Sequence, residues 1–489
     1  MSDMHARPPV AFKRAEFLGF LLGSPFYWML ALLIIEAGLA AATTALIIQA
    51  GHDVSQQEFL ISDFAWIVAA QSASYIVGAS SWIFAERAGF GAYGRYMLRF
   101  ARDNRATAAL LGDRQQREHV EPFLTNETFH ILFELIYELE ADLKLFFGLL
   151  FNAIVLGFAI DAGLPAVYGM VFIALLALQW FVRKPVAAAY LAQQRETNRM
   201  TAHTYTAWDN ITAGNRYNYR LWHAGFKERL RNALRAQIRA IMAREGIATV
   251  SGIFALIVVF SYLAWVAGRN VGDSALLIAL AATLPRQIEM SYHVHGLASG
   301  WNDLLAVWTR IGGACEAMRP VPDAQFNQRI RFEGVSLQRD ALTLPCSNVD
   351  SAVSQVLVQP TGRILVRGSN GMGKSSLLVA LKARLGTQAF YWPTSDKLTF
   401  EFLKGKGQED DETESEGETD PQARSNGFSS GEKQLRSLQE ISLKTQAKVY
   451  LLDEWDANLD SKNRALAEQI VAGLAARAVV VEISHRDRV

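Results

Sequence analysis

A nine-residue stretch rich in glycine, residues 368–376, holds the residues best suited to chemistry in this sequence. It follows the apolar run 364–366 and precedes the apolar run 377–381, a pattern that predicts a buried strand, a turn and a helix. Backbone N–H groups of such a loop face a phosphate chain, and the N-terminus of the next helix adds positive potential. The predicted phosphate-binding loop, or P-loop, consists of Gly368, Ser369, Asn370, Gly371, Met372, Gly373, Lys374, Ser375 and Ser376.

Two side chains of this loop have predicted roles in holding ATP. Lys374 is expected to bind the β- and γ-phosphates, and Ser375 to bind Mg²⁺ through its hydroxyl. A second apolar run, residues 448–452, ends in Asp453 and Glu454. At the end of a strand beside the P-loop, Asp453 can bind the Mg²⁺ shell and Glu454 can polarise an attacking water. The predicted chemistry is hydrolysis of ATP with Mg²⁺ as cofactor.

Three further stretches follow in an order that fits the same chemistry. Residues 428–434 read Phe-Ser-Ser-Gly-Glu-Lys-Gln, and residues 457–460 read Ala-Asn-Leu-Asp. The apolar run 479–483 then leads into Ser484 and His485. An imidazole at this place can donate a hydrogen bond to the γ-phosphate and sense its presence. Each stretch alone is a weak signal, and their order and placement make the case.

With these motifs the chain resembles a half-size ATP-binding cassette (ABC) transporter of the exporter architecture, in which six membrane helices precede one nucleotide-binding domain. The resemblance covers nearly all of the chain. It equates residues 368–376 with the Walker A motif, Asp453 with the Walker B aspartate, Glu454 with the catalytic glutamate and His485 with the switch histidine. It therefore implies an ATP hydrolase that is coupled to translocation across a membrane.

The resemblance also implies a second copy of the chain. Residues 428–434 correspond to the signature motif of the family, and residues 457–460, which end in Asp460, correspond to its D-loop. In that family the signature serine and glycine, here Ser429 and Gly431, bind the γ-phosphate that the opposite subunit holds. One P-loop and one signature motif in each chain therefore imply a homodimer with two composite ATP sites.

The sequence departs from the pattern of the family at two sites. The family stacks adenine on an aromatic residue in the first strand, where residues 335–339 contain none, so Arg339 is expected to stack through its guanidinium unless adenine is held loosely. The family's Q-loop glutamine is replaced by Thr394. A run with eight acidic residues in twelve, residues 409–420, predicts a disordered loop within an insertion near residues 408–424.

The elements that carry these motifs follow a membrane domain. The chain has 489 residues, of which 51% are hydrophobic, and this composition is too apolar for an ordinary soluble protein. Its two cysteines can form neither a disulfide framework nor a metal cluster by themselves. Six apolar runs are predicted to span a bilayer as helices, namely residues 25–50, 64–84, 143–160, 164–182, 247–267 and 274–296.

The predicted fold is a polytopic α-helical membrane domain with six transmembrane helices, residues 1–326, followed by an α/β P-loop ATPase domain, residues 327–489. Arginines concentrate in the two long connections after the second and fourth spans. This excess predicts that these connections and both termini lie in the cytoplasm. The expected location of the chain is the cell inner membrane. Spans two to five are expected to continue as helices toward the ATPase. Short transverse helices are predicted around residues 114–128 and 208–217.

Three ionisable residues at bilayer depth are candidates for substrate contact, namely Glu36 in the first span and Arg286 and Glu289 in the sixth. Glu36 is predicted to face a central cavity and to bind a cationic or hydrogen-bonding part of the cargo. The alternative is an internal ion pair, with Arg286 as the partner of Glu36, that only stabilises helix packing. Tyr292, His293, His295 and Trp301 continue the sixth span and either fill helix contacts or line a substrate path.

The function predicted from these features is ATP-driven export of a small amphipathic molecule, such as a peptide natural product, by alternating access. The expected partners are a second copy of the chain, the lipid bilayer and the small-molecule or peptide substrate, with no nucleic acid. Two alternatives remain open. One is an importer of peptides or small molecules with the same architecture, and the other is a membrane-anchored regulatory ATPase that transports nothing.

Overall fold

The computed structural model describes residues 12–56, 61–105, 107–320, 326–340, 342–393, 398–403 and 429–484. The described chain is mostly helical and ends in a small mixed β-sheet. It divides into two compact units. The first unit contains the described residues up to Arg99 and the segment Pro122–Met318, and the second contains Phe100–Glu121 and the described chain from Arg319 onward. The division after Met318 lies a few residues before the predicted boundary at 327.

Helices form almost all of the described chain up to residue 320. In order they are α1 (Arg14–Leu18), α2 (Ser24–Ser55), α3 (Ile61–Asn104), a 3₁₀ helix (Ala108–Gly112), α4 (Arg114–Pro122), a π-helical turn (Phe123–Glu127), α5 (Thr128–Ala159), α6 (Leu164–Thr204), α7 (Ala207–Thr212), α8 (Arg216–Arg269) and α9 (Ser274–Met318). Pro25 and Pro165 lie in the first turns of α2 and α6, where a missing N–H costs nothing.

Five helices among the described residues are long and apolar enough to cross a membrane. They are Ser24–Val54, Ile61–Asn104, Gln116–Ala159, Leu164–Thr204 and Arg216–Arg269. The sixth predicted span does form a helix, α9, but α9 is not among these five. Its predicted membrane stretch carries Arg286 and Glu289, whose charges lower its hydropathy. The structure therefore supports five membrane-length apolar helices, together with a sixth long helix that is more polar.

Several of these helices are much longer than a bilayer is thick. The longest, α8, has 54 residues and is about 80 Å long, whereas the apolar core of a bilayer measures about 30 Å. Helical segments of this length extend well beyond the apolar stretch that they contain. The first unit therefore has long polar helical extensions, as the spacing of its apolar runs predicts.

The two predicted transverse helices differ in outcome. Residues 114–128 do not form a separate helix, because α4 continues through a π-helical turn into α5, with Pro122 at the transition. Proline removes a backbone donor, and a widened turn is one way in which a helix accommodates that loss. The separate short helix lies earlier, at Ala108–Gly112. In the second region α7 is a separate short helix, and Gly214, at φ +70°, lies in the turn that follows it.

A six-stranded sheet forms the centre of the second unit. Its strands are β1 (Val335–Arg339), β2 (Leu342–Leu344), β3 (Gly362–Gly368), β4 (Ala389–Trp392), β5 (Val449–Asp453) and β6 (Val479–Ile483), in the spatial order β2-β1-β3-β6-β5-β4. Strand β1 is antiparallel to β2 and β3, whereas β3, β6, β5 and β4 are parallel. Every residue of β5 and β6 is buried, which is typical of central parallel strands.

Helices cover both faces of this sheet. The helices α10 (Val349–Leu357) and α11 (Lys374–Leu385) pack on one face, in a core that includes Leu377, Leu381 and Val366. The helices here named α12 (Ser430–Lys444) and α13 (Ser461–Arg477) pack on the other, in a core that includes Leu438 and Val471. Apolar side chains on both faces hold the strands in place. The loops at the carboxyl ends of β3, β5 and β6 therefore meet at one edge of the sheet.

Candidate functional site

The glycine-rich stretch forms a tight loop between β3, which ends at Gly368, and α11, which begins at Lys374. Gly371 and Gly373 have φ angles of +80° and +87°, in the left-handed region that favours glycine. A side chain at Gly373 would also collide with the carbonyl oxygen of Arg329. Both the backbone conformation and the close approach of a neighbouring segment therefore require glycine in this loop.

The Lys374 side chain folds back over the loop from which it starts. Its ammonium donates to the carbonyl oxygens of Gly368, at 2.6 Å, and of Ser369, at 3.4 Å. The ammonium therefore lies at the N-terminus of α11, close to the backbone of the loop. A positive charge beside the free N–H groups of a helix N-terminus is an arrangement suited to an anion such as a phosphate chain.

The Ser375 hydroxyl and the Asp453 carboxylate meet beside the loop. Ser375 Oγ donates to Asp453 Oδ1 at 3.0 Å, and Tyr391, on β4, donates its hydroxyl to Asp453 Oδ2 at 3.3 Å. Burial, together with the charge of Asp453, raises the pKa of Tyr391, so its hydroxyl remains a donor. The contact with Tyr391 was not predicted, although an aromatic run that precedes a proline, as in residues 390–393, could have drawn attention to it.

These oxygen donors fit Mg²⁺ better than they fit a transition metal. No group of three or more His, Cys, Asp and Glu side chains that could hold a metal occurs among the described residues. A metal ion here would be held by one hydroxyl, one carboxylate and the oxygens of its own ligand. Mg²⁺ is commonly bound in this way, through one or two carboxylates and substrate phosphates.

Glu454 has an unusual backbone conformation directly after β5. Its φ angle is +50°, uncommon for a residue with a side chain, and its N–H donates to the Ile483 carbonyl at 3.1 Å. The Gln434 side-chain amide donates to the carbonyl oxygens of Glu454, at 3.3 Å, and Trp455, at 2.7 Å. Strained backbone of this kind persists only where surrounding contacts hold it, and it is common at functional sites.

The described part of the predicted signature motif begins α12. Ser429 caps this helix, since its Oγ accepts from the Glu432 N–H at 3.2 Å and its own N–H donates to the Glu432 carboxylate at 2.9 Å. This backbone contact lowers the pKa of Glu432. Gly431 packs so closely on the Asn458 carbonyl that a side chain there would collide with it. The segments around Gly431 and residues 457–460 are therefore neighbours.

Asp460 lies directly before α13, near the end of the predicted D-loop. Asp460 caps α13, accepting at Oδ1 from the Asn463 N–H at 2.7 Å. Ser484, one residue before His485, donates to Asp456 Oδ2 at 2.6 Å. His485, Phe428, Thr394 and the acidic run lie outside the described residues.

Arg339 lies far from the glycine-rich loop. In the register of β1 with β3, Val335 is opposite Gly368 and Arg339 is opposite Ile364, four residues farther along the strand. Four residues of strand correspond to about 13 Å. Arg339 is buried, and one of its terminal nitrogens donates to the Gln355 carbonyl at 3.2 Å. This position does not favour the predicted stacking of its guanidinium on adenine.

A buried charged network supports the strands beside this edge of the sheet. Arg363 pairs with Glu482, at 2.5 Å, and with Glu468, and the Trp455 indole donates to Glu482 at 2.8 Å. Glu482 is fully buried within β6, where an unpaired carboxylate would be very costly. The sequence signal for this network is the single acid in the apolar run 479–483, which requires a partner.

Glu36 and Arg286, in the first unit, do not form the ion pair with each other that the alternative prediction gave them. Glu36, on α2, forms a 2.7 Å ion pair with Lys144 of α5, and a side chain at Gly78 of α3 would collide with it. Arg286 pairs with Glu289, at 2.6 Å, and donates to Asn152 at 3.2 Å. The predicted pairing of Glu36 with Arg286 is therefore wrong, because Lys144 reaches Glu36 and Glu289 occupies Arg286.

The connection between α3 and α4 contacts the rest of the sheet unit, to which it belongs. The 3₁₀ helix Ala108–Gly112 packs against α11, the helix that follows the glycine-rich loop. Arg329 also donates to the Gly112 carbonyl at 3.0 Å.

The sequence matches no protein-family model, and no curated protein matches it.

Proposed function

We propose that this protein is an inner-membrane, homodimeric ABC-type exporter that hydrolyses ATP to move a small amphipathic molecule, such as a peptide natural product, out of the cytoplasm. The observation that carries the proposal is the contact of Ser375 with Asp453 beside the glycine-rich loop and the Lys374 ammonium. Strand, loop, lysine, serine and aspartate have the order and proximity that nucleoside triphosphate hydrolysis requires.

ATP and Mg²⁺ are the proposed cofactors. When bound, Mg²⁺ would neutralise charge on the phosphates. The backbone of residues 368–376 would wrap the phosphates, Lys374 would bind their terminal oxygens, and Ser375 with Asp453 would hold the metal. Glu454 would orient the attacking water, with Gln434 holding its backbone in place. His485 would sense the γ-phosphate.

The membrane part supports transport as the purpose of that hydrolysis. Five helices have the length and composition of membrane spans, and α9 would be the sixth, with Arg286 and Glu289 neutralising each other inside the bundle. A paired arginine and glutamate cost much less in a membrane than either charge alone. The excess of arginine in the long connections favours a cytoplasmic location for both termini.

Contact between the 3₁₀ helix Ala108–Gly112 and α11 supports coupling of the two activities. This short helix lies in the connection between the second and third spans, and α11 begins at the phosphate-binding lysine. A change at the loop can therefore act directly on the connection. The Ser429 and Gly431 pair would complete the ATP site of the second copy, as the resemblance to ABC exporters implies.

Transport in inside-out vesicles tests the proposal against its two alternatives. Purified protein would be reconstituted, supplied with ATP and Mg²⁺, and followed with a panel of fluorescent amphipathic peptides. ATP-dependent uptake supports export, ATP-dependent efflux supports import, and ATP hydrolysis without either supports a regulatory ATPase. Lys374→Ala is the control, since it keeps the membrane helices and removes the phosphate ligand. Absence of ATP hydrolysis in the unsubstituted protein would contradict all three.

A further inference from the structure

A groove lies between α5, α6 and α9 in the first unit. Its volume is about 500 Å³. The side chains along its walls are mainly apolar and include Phe146, Leu149, Phe172, Leu175 and Val294. Along α5 the lining extends from Leu139 to Ile154, which corresponds to about 22 Å of helix. The groove therefore has the length and the lining for an extended hydrocarbon chain.

Two hydrogen-bond acceptors lie at one end of this groove. Gln179 of α6 is 5% exposed and donates its amide to the Ala298 carbonyl at 3.1 Å. Gln179 lines the same groove, and its buried Oε1 atom has no hydrogen-bond partner among the described residues. A buried acceptor without a donor is destabilising, so this oxygen is suited to a donor that a ligand supplies.

Asp142 of α5 is the second acceptor. Its carboxylate lies against Gly300 of α9, where a side chain would collide with it. The charged groups that face it are Glu138 and Asp303, both acidic. Arg244, which lies near Glu138, pairs with Asp303 at 2.9 Å and with Glu245 at 2.8 Å. No basic side chain of the described helices pairs with Asp142 itself, so this end of the groove is electronegative.

We propose that the groove binds a single-chain amphipath with a cationic head group, of the long-chain alkylammonium type. The hydrocarbon chain lies along α5 and α6, and the ammonium donates to Gln179 Oε1 and pairs with Asp142. The role of this groove as the cargo site rests on the proposed export function. Binding of the amphipath to the groove does not depend on ATP. Glu36 does not supply this site, because Lys144 already neutralises it.

An ordinary lipid contact would not have this composition. Neutral acyl chains need only apolar walls, whereas a carboxylate and an amide oxygen beside an apolar groove are unfavourable unless a ligand, water or partner compensates them. Charge complementarity therefore selects the cationic amphipath over a neutral or anionic one. Coverage of the groove by a second copy of the chain is the other occupant that the experiment must exclude.

Binding of dodecylammonium to the full-length protein in phosphatidylcholine nanodiscs tests the proposal. Calorimetry would compare it with dodecanol and dodecyl sulfate, which keep the chain and change the head. We expect dodecylammonium to bind roughly tenfold or more tightly than either, because a charged hydrogen bond and an ion pair are lost in both. Equal binding of all three, or no binding, would overturn the assignment.

Matched variants locate the site. Gln179→Leu and Asp142→Asn should each weaken dodecylammonium binding roughly tenfold. Asn302→Leu is the control for the first. Asn302 also donates to the Ala298 carbonyl, and its Oδ1 has no partner in the described part of the chain, but it does not line the groove. Asp161→Asn is the control for the second, because Asp161 accepts from Tyr262 and Gly163 in a turn. Equal losses in variants and controls would contradict the site.

A third variant tests the groove without altering its polar end. Leu176 is half exposed and lines the groove, so Leu176→Trp fills space with little risk to folding. It should reduce binding while the elution volume of the dimer is unchanged. A Leu176→Cys variant in nanodiscs tests the other occupant. If a disulfide forms between two copies and dodecylammonium binding is lost, a second copy covers the groove, and the proposal is overturned.

ATP measurements separate this inference from the proposed function. Lys374→Ala should bind dodecylammonium normally while failing to hydrolyse ATP. If the unsubstituted protein binds dodecylammonium but does not hydrolyse ATP, the proposed function fails and the site stands. If it exports another amphipath while dodecylammonium does not bind, the inference fails alone. Stimulation of ATP hydrolysis by dodecylammonium that is lost in Asp142→Asn and kept in Asp161→Asn identifies the groove as the cargo site.

Discussion

The glycine-rich loop and the helices of the first unit organise their polar residues in opposite ways. In the loop, consecutive residues 368–376 supply the glycines, the lysine and the serine, and one partner strand supplies Asp453. In the helices, the contact of Glu36 joins residues far apart in sequence, because its partner Lys144 lies on another helix. A loop site can therefore be recognised from a motif, whereas a site between helices depends on how the helices are rotated against each other.

A second contrast lies within the helices themselves. Glu36 and Asp142 are both acids in helices of membrane-spanning length, but only Glu36 lies within a predicted span, since Asp142 directly precedes the span 143–160. Lys144 neutralises Glu36, whereas Asp142 faces two further acids and pairs with no basic side chain of the described helices. The pairing of an acid in these helices, rather than its place in an apolar run, therefore indicates which one is available to a ligand.

The largest expected effect is on ATP hydrolysis, at the site beside the glycine-rich loop. Glu454→Gln should lower ATP hydrolysis by roughly a hundredfold or more, because the carboxylate that orients the water is replaced by a neutral amide. Nucleotide binding should be retained, since the residues that contact phosphate are unchanged. A phosphate-release assay together with equilibrium binding of a fluorescent ATP analogue measures both. Wild-type turnover would show that Glu454 is not the catalytic glutamate.

Lys374→Ala should act on binding itself. Loss of the ammonium that lies over Gly368 removes a charge-assisted contact to phosphate, and we expect ATP affinity to fall about tenfold to a hundredfold. The same binding assay, compared with Glu454→Gln, separates binding from catalysis. Unchanged affinity for ATP would contradict the assignment of residues 368–376 as a phosphate-binding loop.

Tyr391→Phe tests a contact of the loop site that no motif contains. Without the hydroxyl, Asp453 loses the donor to Oδ2, and the Mg²⁺ affinity of the ATP complex should fall about tenfold. Binding of ATP without metal should not change. Tyr450→Phe is the matched control, because the Tyr450 hydroxyl donates to the Thr445 carbonyl and not to Asp453. Mn²⁺ titration followed by electron paramagnetic resonance gives the affinities, and equal behaviour of both variants would exclude a role for Tyr391.

Glu36→Gln tests the pairing in the helices. Since Lys144 is half exposed, the loss should be modest, about 1 kcal/mol in the free energy of unfolding. Lys144→Met made alongside should restore much of it, because removing both charges costs less than leaving one without its partner. A thermal melting series of the single and double variants measures this coupling. A transport defect with no change in stability would favour the predicted cargo role of Glu36 instead.

The smallest effect is expected from deleting residues 409–420. An acidic run that cannot bury apolar surface contributes little to a core, so neither ATP hydrolysis nor the melting temperature should change measurably. The deletion tests whether the loop site depends only on its motifs, because it removes sequence from the second unit and leaves those motifs unchanged. A large loss of either property would mean that the run is part of a structured surface.

The sequence by itself determined the elements that depend on short-range patterns. Apolar runs of membrane length predict α2, α3, α5, α6 and α8, and the run of apolar residues, glycines and lysine predicts β3, its loop and α11. These features follow from the period of a helix, the burial of a strand and the backbone freedom of glycine, all of which are local. Charge within an apolar run, as in α9, weakened the signal for a sixth span.

Only the tertiary structure decided which distant side chains meet. It placed Lys144 rather than Arg286 beside Glu36, buried Arg339 away from the loop and brought Tyr391 to Asp453. It also left Gln179 Oε1 without a hydrogen-bond partner among the described residues. These contacts depend on strand register and on helix rotation. A shift of one residue moves the side chains of a strand to the opposite face and turns those of a helix by about 100°. A pattern along the chain specifies which face of an element is apolar, and packing specifies what that face contacts.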